Sequence, residues 1–117
     1  MLSLSKKILL LMIALFVAGC ASNNTLYEWG YYEDSIFDMY INPGKTSVTD
    51  EINRFEEQIE ETTSSGRFVP PGLHVHLAYL YFYEGDYATG MLHLQTEKKK
   101  FPESSHFIDG IITRMKK

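Results

Sequence analysis

Hydrophobic residues along this chain recur at helical spacing, every three or four positions. In the segment 52–61, Ile52, Phe55 and Ile59 share one face of such a helix, and the opposite face is acidic. The glutamates of that face are Glu56, Glu57, Glu60 and Glu61. An amphipathic helix with one buried stripe fits this pattern, and its glutamates are expected to be solvated.

The segment 68–83 differs because its 16 residues carry no formal charge and are apolar on two faces. One face holds Leu73, Leu77, Leu80 and Tyr81, and the second holds Val75, Tyr79, Phe82 and Tyr83. A helix of this kind is normally sandwiched between neighbours. The second face is therefore either buried by the preceding helices or exposed as a partner-binding surface, and the pattern leaves both alternatives open.

Three more segments show the same helical period. They cover residues 29–41, 87–101 and 105–115, and Asn42-Pro43-Gly44 provides a turn after the first of them. No strand-like alternation of polar and apolar residues competes with this period. The sequence therefore predicts an all-α domain of roughly five helices.

Residues 71–104 match the tetratricopeptide pattern, a pair of helices about 34 residues long. The matching positions are His74-x2-Leu77-Ala78-x2-Tyr81, then Gly90-x3-Leu94, then Pro102, with Gly85 expected in the turn and Tyr87 packed beneath it. His74 and Glu97 depart from the pattern, since a large aromatic and a small residue are usual there. The resemblance implies tetratricopeptide-like antiparallel helix pairs, with a degenerate first pair in residues 26–65 and a C-terminal capping helix in residues 104–116. An ordinary helical hairpin with chance spacing is the alternative.

The start of the chain has the features of a secretion signal. Lys6 and Lys7 precede ten apolar residues, Ile8 to Val17, which are too few to span a bilayer, and Ala18-Gly19-Cys20 follows. This arrangement resembles the lipobox of bacterial lipoproteins. The resemblance implies a signal peptide at residues 1–19, a lipidated tether at 20–25 beginning with acylated Cys20, and a helical domain at 26–117. An ordinary secretory peptide with an incidental buried thiol is the alternative.

The residue after the lipobox cysteine and the overall charge restrict location and partners. Ala21 follows Cys20 where an aspartate would imply inner-membrane retention, so the resemblance implies an outer-membrane lipoprotein that faces the periplasm. Without Lys6 and Lys7 the 11 basic residues fall to nine, against 15 acidic ones, which gives the remaining chain a net charge of −6. We therefore expect no nucleic-acid partner, and we expect the lipid to make the membrane contact.

Three stretches of the chain together resemble one family in particular. They are Leu26-Tyr-Glu-Trp-Gly-Tyr-Tyr32, Pro70-Pro-Gly-Leu-His74 and Phe101-Pro-Glu-Ser104. With the lipobox, they are similar to the small proteobacterial lipoproteins known as domain of unknown function 4810. That family has no assigned activity, but its genes commonly lie beside those of curli-secretion-type lipoproteins. The resemblance thus implies envelope-protein partners, with a curli-secretion-type lipoprotein as one candidate.

Candidate catalytic chemistry is sparse. His74 and His76 are two residues apart and do not share a helix face, and His93 and His106 lack ligand spacing, so we expect no metal site. No nucleophile, base and orienting group can be assembled, and we expect no cofactor, no small-molecule substrate and no enzyme activity. The predicted function is an interaction scaffold or assembly factor for an envelope or secretion complex.

Two further functions are alternatives to the scaffold. One is an enzyme or ligand-binding module acting on cell-wall or lipid material, which predicts a closed pocket with perturbed titratable groups, whereas a scaffold predicts an open aromatic groove. The other is a pilotin-like carrier of an outer-membrane subunit.

Overall fold

The computed structural model describes residues 1–18 and 25–117, and its regular structure there is helical. The α-helices are α1 (Leu4–Ala18), α2 (Tyr32–Ile41), α3 (Val48–Ser64), α4 (Leu73–Tyr83), α5 (Tyr87–Lys100) and α6 (Ser105–Met115). A 3-10 turn, Pro102–Ser104, joins α5 to α6, and one isolated parallel β-bridge links Tyr27 to Phe68. The predicted all-α fold class is confirmed.

Helix α1 coincides with the predicted signal segment. Among the described residues, no helix is both long and apolar enough to cross a membrane. Cys20, the predicted lipidation site, lies outside the described residues.

Helix α2 begins three residues later than its aromatic pattern suggests, because the preceding backbone is held elsewhere. The Gln58 side chain accepts a hydrogen bond from the Tyr31 amide at 3.1 Å and donates to the carbonyls of Glu28 and Trp29 at 3.2 and 3.0 Å. Residues 28–31 are thereby fixed to α3 as a loop. Trp29 stacks on Tyr32, with ring centroids 6.0 Å apart.

Helix α3 follows its predicted pattern closely. The Ser47 hydroxyl caps it by accepting from the Asp50 amide at 3.1 Å. Its apolar stripe is buried in the first of two core clusters, which α4 and the preceding loop complete. The buried members of this cluster are Ile52, Phe55, Val69, Leu73, Leu77 and Leu80.

Helices α4 and α5 form a hairpin whose turn lies at residues 84–86. Gly85 adopts a positive φ of 86° there, and the Asp86 carboxylate caps α5 through the Thr89 amide at 3.1 Å. The opposite side of α4 packs on α5 and α6 in the second core cluster, around Ala78, Leu94 and Ile108. Helix α4 is thus buried on two sides, as its composition predicts.

Candidate functional site

A groove of about 830 Å³ lies between α2, α4 and α6, and its walls are mainly apolar and aromatic. This volume is typical of a site that binds a small molecule or a short peptide segment. The apolar and aromatic residues that line it are Tyr32, Ile36, Met39, Tyr40, Val75, Tyr79 and Phe107.

Three rings on the walls of the groove are largely exposed. Tyr79 of α4 has 53% of its surface exposed, and Tyr40 of α2 and Phe107 of α6 are exposed to a similar or greater degree. Because each ring comes from a different helix, the groove exists only when the helices are packed together. Rings with a polar tip beside apolar walls are typical of protein interfaces.

The groove is also lined by a buried carboxylate. Glu97 of α5 is only 2% exposed, and its Oε1 accepts a hydrogen bond from the Gly72 amide at 2.6 Å. Burial raises the pKa of Glu97, while the backbone amides of Gly72 and His74 oppose that shift. The second oxygen, Oε2, has no hydrogen-bond partner among the described residues.

Glu97 also determines how α4 begins. Gly72 occupies the N-cap with a positive φ of 93° and offers no side chain to bond the free amides of the first turn. From the neighbouring helix, the Glu97 carboxylate accepts a hydrogen bond from the amide of Gly72 itself, and its negative charge suits the positive end of the helix dipole. The Tyr32 hydroxyl lies next to Gly72. Burial and the nearby Glu97 carboxylate raise the pKa of Tyr32.

The structure divides the predicted partner-binding face of α4 into two parts. Val75 and Phe82 pack against the second core cluster, whereas Tyr79 and Tyr83 are exposed. Tyr79 lines the groove together with Val75, and Tyr83, which is 71% exposed, lies at the far end of the helix. The face is therefore neither wholly a groove nor wholly core.

The predicted repeat positions mostly lie where α4 meets its neighbours. Leu77, Ala78, Gly90 and Leu94 are buried, and Tyr81 is half-buried. A Cβ added at Gly90 would lie 2.4 Å from Cε1 of Phe82, so the absence of a side chain lets this ring rest on α5. Tyr87 and Pro102 are exposed instead, although the Tyr87 ring stacks on Phe82 at 5.8 Å.

A polar network that the sequence reasoning missed joins α3, α4 and α5. Nδ1 of His74 lies 3.0 Å from Nδ1 of His93, whose Nε2 lies 3.1 Å from Oε1 of Glu56. The Tyr81 hydroxyl donates to the same Glu56 oxygen at 2.8 Å. Glu56 is therefore not simply a solvated residue, since two neighbouring helices offer it donors.

The contacts of this network determine the state of His74. If His93 donates through Nε2 to Glu56, its Nδ1 accepts a hydrogen bond from the Nδ1–H of His74. Nε2 of His74 is then an unprotonated acceptor, and no partner for it occurs in the described part of the chain. Burial, with His93 and Lys100 nearby, lowers the pKa of His74 to about 4, so the ring is neutral at pH 7.

The network does not form a metal centre. The described residues bring together no group of three histidine, cysteine, aspartate or glutamate side chains placed to hold a metal ion. Glu56 contacts Nε2 of His93, whereas His74 contacts Nδ1 of the same ring. The three side chains therefore form a linear chain and do not surround a common point where an ion could bind. His74 is only 4% exposed, which gives the network the character of a buried structural contact.

The fold and the groove define a small all-helical domain with an aromatic, partly polar cleft. Residues 26–111 match the model of the family described as a domain of unknown function, DUF4810, and the chain belongs to that family. No curated protein and no solved structure matches the chain.

Proposed function

We propose that this chain is a lipoprotein anchored by Cys20 in the outer membrane, facing the periplasm, where it binds envelope proteins as a scaffold or assembly factor. A curli-secretion-type lipoprotein is one candidate partner. The observation that carries the binding role is the groove between α2, α4 and α6, with Tyr40, Tyr79 and Phe107 exposed on its walls.

The packing of α4 and α5 supports a tetratricopeptide-like arrangement within this proposal. Gly90 and Ala78 allow close approach of the two helices, and the turn at Gly85 falls where the repeat pattern places it. In such arrays the inner surface of each first helix binds partner segments. Helix α4 is the first helix of the pair, and its Tyr79 lines the groove.

Tyr32, His76 and Glu97, whose pKa values burial displaces, line the groove, but the groove is open and its exposed rings are aromatic, which supports binding over catalysis. His74 of α4, whose pKa is the most clearly displaced among the histidines, is buried and hydrogen-bonded to His93 of α5. A substrate would have to displace core side chains to reach it. The exposed lining of the groove is instead aromatic, as an interaction site requires.

Site-specific photocrosslinking in intact cells tests the binding role. A photoreactive residue in place of Tyr79 is expected to trap discrete envelope proteins, because the side chain is exposed and lines the groove. The matched control is Leu92 of α5, which is also exposed but does not line the groove. Equal products from both positions would show that the groove has no special role.

A double substitution, Tyr79→Ala with Tyr83→Ala, tests whether binding and folding are separable. Both rings are exposed, so the helical circular dichroism should be unchanged while capture is lost. Collapse of the dichroism would instead assign the two rings to the core. The anchor is tested by detergent partitioning of Cys20→Ala, which should move the protein out of the membrane fraction.

A further inference from the structure

A second apolar surface lies at the start of the folded domain, and it shares no lining residue with the groove. Leu26 and Phe68 are 65% and 60% exposed, and the β-bridge between Tyr27 and Phe68 holds these two segments side by side. The Phe101 ring packs edge-on against Tyr27 at 6.1 Å. With Val69 and Lys100, these residues surround a hollow of about 400 Å³. We call this surface the N-terminal patch.

The charged residue that lines the N-terminal patch is basic, although the chain as a whole is acidic. Lys100 lines the hollow, Lys99 precedes it at the exposed end of α5, and neither takes part in the ion pairs found in the described part of the chain. The nearby Glu28 carboxylate is neutralised by Arg67 at 2.6 Å. Exposed apolar side chains beside free lysines are the composition that inserts into a bilayer with anionic headgroups.

Chain length restricts where the N-terminal patch can lie. The Arg67 guanidinium donates to the Thr25 carbonyl and hydroxyl at 3.3 and 3.2 Å, so the described domain begins at the patch. Cys20 precedes Thr25 by five residues, which span at most about 18 Å in any conformation. A lipid on Cys20 therefore keeps the patch close to the bilayer surface.

We propose that the N-terminal patch rests on the phospholipid surface, with Leu26 and Phe68 in contact with the acyl chains and Lys99 and Lys100 against the headgroups. The lipid anchor alone would leave the domain free to rotate on its tether, and the patch fixes one orientation. This inference uses the membrane anchoring of the proposed function but does not depend on the groove or on the partner.

Quenching by brominated lipids tests this orientation, because the chain contains one tryptophan and one cysteine. The mature chain, which begins at Cys20 in the proposed function, is coupled in detergent through Cys20 to a maleimide phospholipid and reconstituted into phosphatidylglycerol-containing vesicles, so the anchor is present whether or not the cell acylates it. In a W29F background, F68W is compared with Y83W. Tyr83 is the matched control because it is an exposed aromatic residue at the other end of α4, about 15 Å along the helix from Leu73.

Lipids brominated in the acyl chains should quench the tryptophan at position 68 several-fold more strongly than the one at position 83. Equal quenching at the two positions, or stronger quenching at position 83, would overturn the proposal. A separate measurement tests the natural anchor. Mass spectrometry of the protein purified from cells would show whether Cys20 carries acyl groups, and their absence would contradict the anchoring alone.

A second measurement needs no change in the patch aromatics. Trp29, whose ring lies 6.3 Å from that of Tyr27, reports from the natural protein. Its quenching should increase when phosphatidylglycerol replaces phosphatidylcholine, and this increase should disappear in the variant K99E/K100E, which alters only exposed side chains. An unchanged response in that variant would show that the lysines do not contact headgroups.

Discussion

Gly90→Ala offers a direct test of the close contact between α4 and α5. In an unpacked helix this change would stabilise the protein by about 1 kcal/mol, because alanine has the higher helix propensity. Here the new Cβ would lie 2.4 and 2.6 Å from Cε1 and Cδ1 of Phe82. The Phe82 ring is confined by Tyr87 and the second core cluster, so relieving the overlap should cost about 1–3 kcal/mol.

The overlap therefore outweighs the helix propensity, and Gly90→Ala should destabilise the protein by about 1 kcal/mol. For a domain of this size that is a fall in Tm of about 4–8 °C. Urea unfolding followed by circular dichroism would measure the free energy, with Trp29 fluorescence as an independent probe.

A double-mutant cycle makes the test decisive. Phe82→Ala removes the overlapping ring, so Gly90→Ala in that background should stabilise the protein by about 1 kcal/mol, the propensity gain alone. The sign of the glycine substitution should thus reverse between the two backgrounds. If Gly90→Ala has the same effect in both, Phe82 does not rest on Gly90 and the described packing of α4 on α5 is wrong.

Substitutions at three further residues test polar contacts in the interior. Gln58→Glu should destabilise more than Gln58→Ala in urea unfolding, because a carboxylate cannot donate to the two backbone carbonyls that Gln58 now bonds. Burial lowers the pKa of His74 to about 4, whereas the unfolded chain protonates this residue near pH 6.5. The free energy of unfolding should therefore fall by up to about 3 kcal/mol as the pH drops from 6.5 to 4, and His74→Gln should reduce that fall. Burial raises the pKa of Glu97 above its ordinary 4.5, so this residue should lower stability as pH rises past 4.5, and Glu97→Gln should flatten that dependence while keeping an acceptor for Gly72.

The helices were predictable because their apolar periods are strong and their ends carry turn and capping residues. The stripe of Ile52, Phe55 and Ile59 predicts a buried face of α3, and the two apolar faces of α4 predict its sandwiched position. The start of α2 was not predictable from its own residues, because the Gln58 side chain determines it from a helix some 27 residues further along the chain. Propensity contains no information about such contacts.

The buried polar contacts were predictable in part, from the same departures that weaken the repeat pattern. His74 lies 11 residues before Gly85 and Glu97 lies 12 after it, so a hairpin that turns at Gly85 brings the two positions to the same level. In that position the Glu97 carboxylate accepts a hydrogen bond from the amide of Gly72, the N-cap residue of α4, which has no side chain of its own to cap the helix. The spacing of His74 and Glu97 around Gly85 does not predict the contribution of α3. Glu56 of α3 joins the network only because α3 packs on α4.

The groove and the N-terminal patch lie at the same end of the α4–α5 hairpin, and this proximity restricts the partner. Pro71 lines the groove two residues after Val69 of the patch, and Ser104 lines it three residues after Phe101. If the patch rests on the bilayer, the groove opens close to the lipid surface, where the accessible segments are those that flank membrane-embedded domains. A partner segment from a protein that is itself anchored in the membrane would then meet the groove at high effective concentration, so modest affinity would suffice for binding.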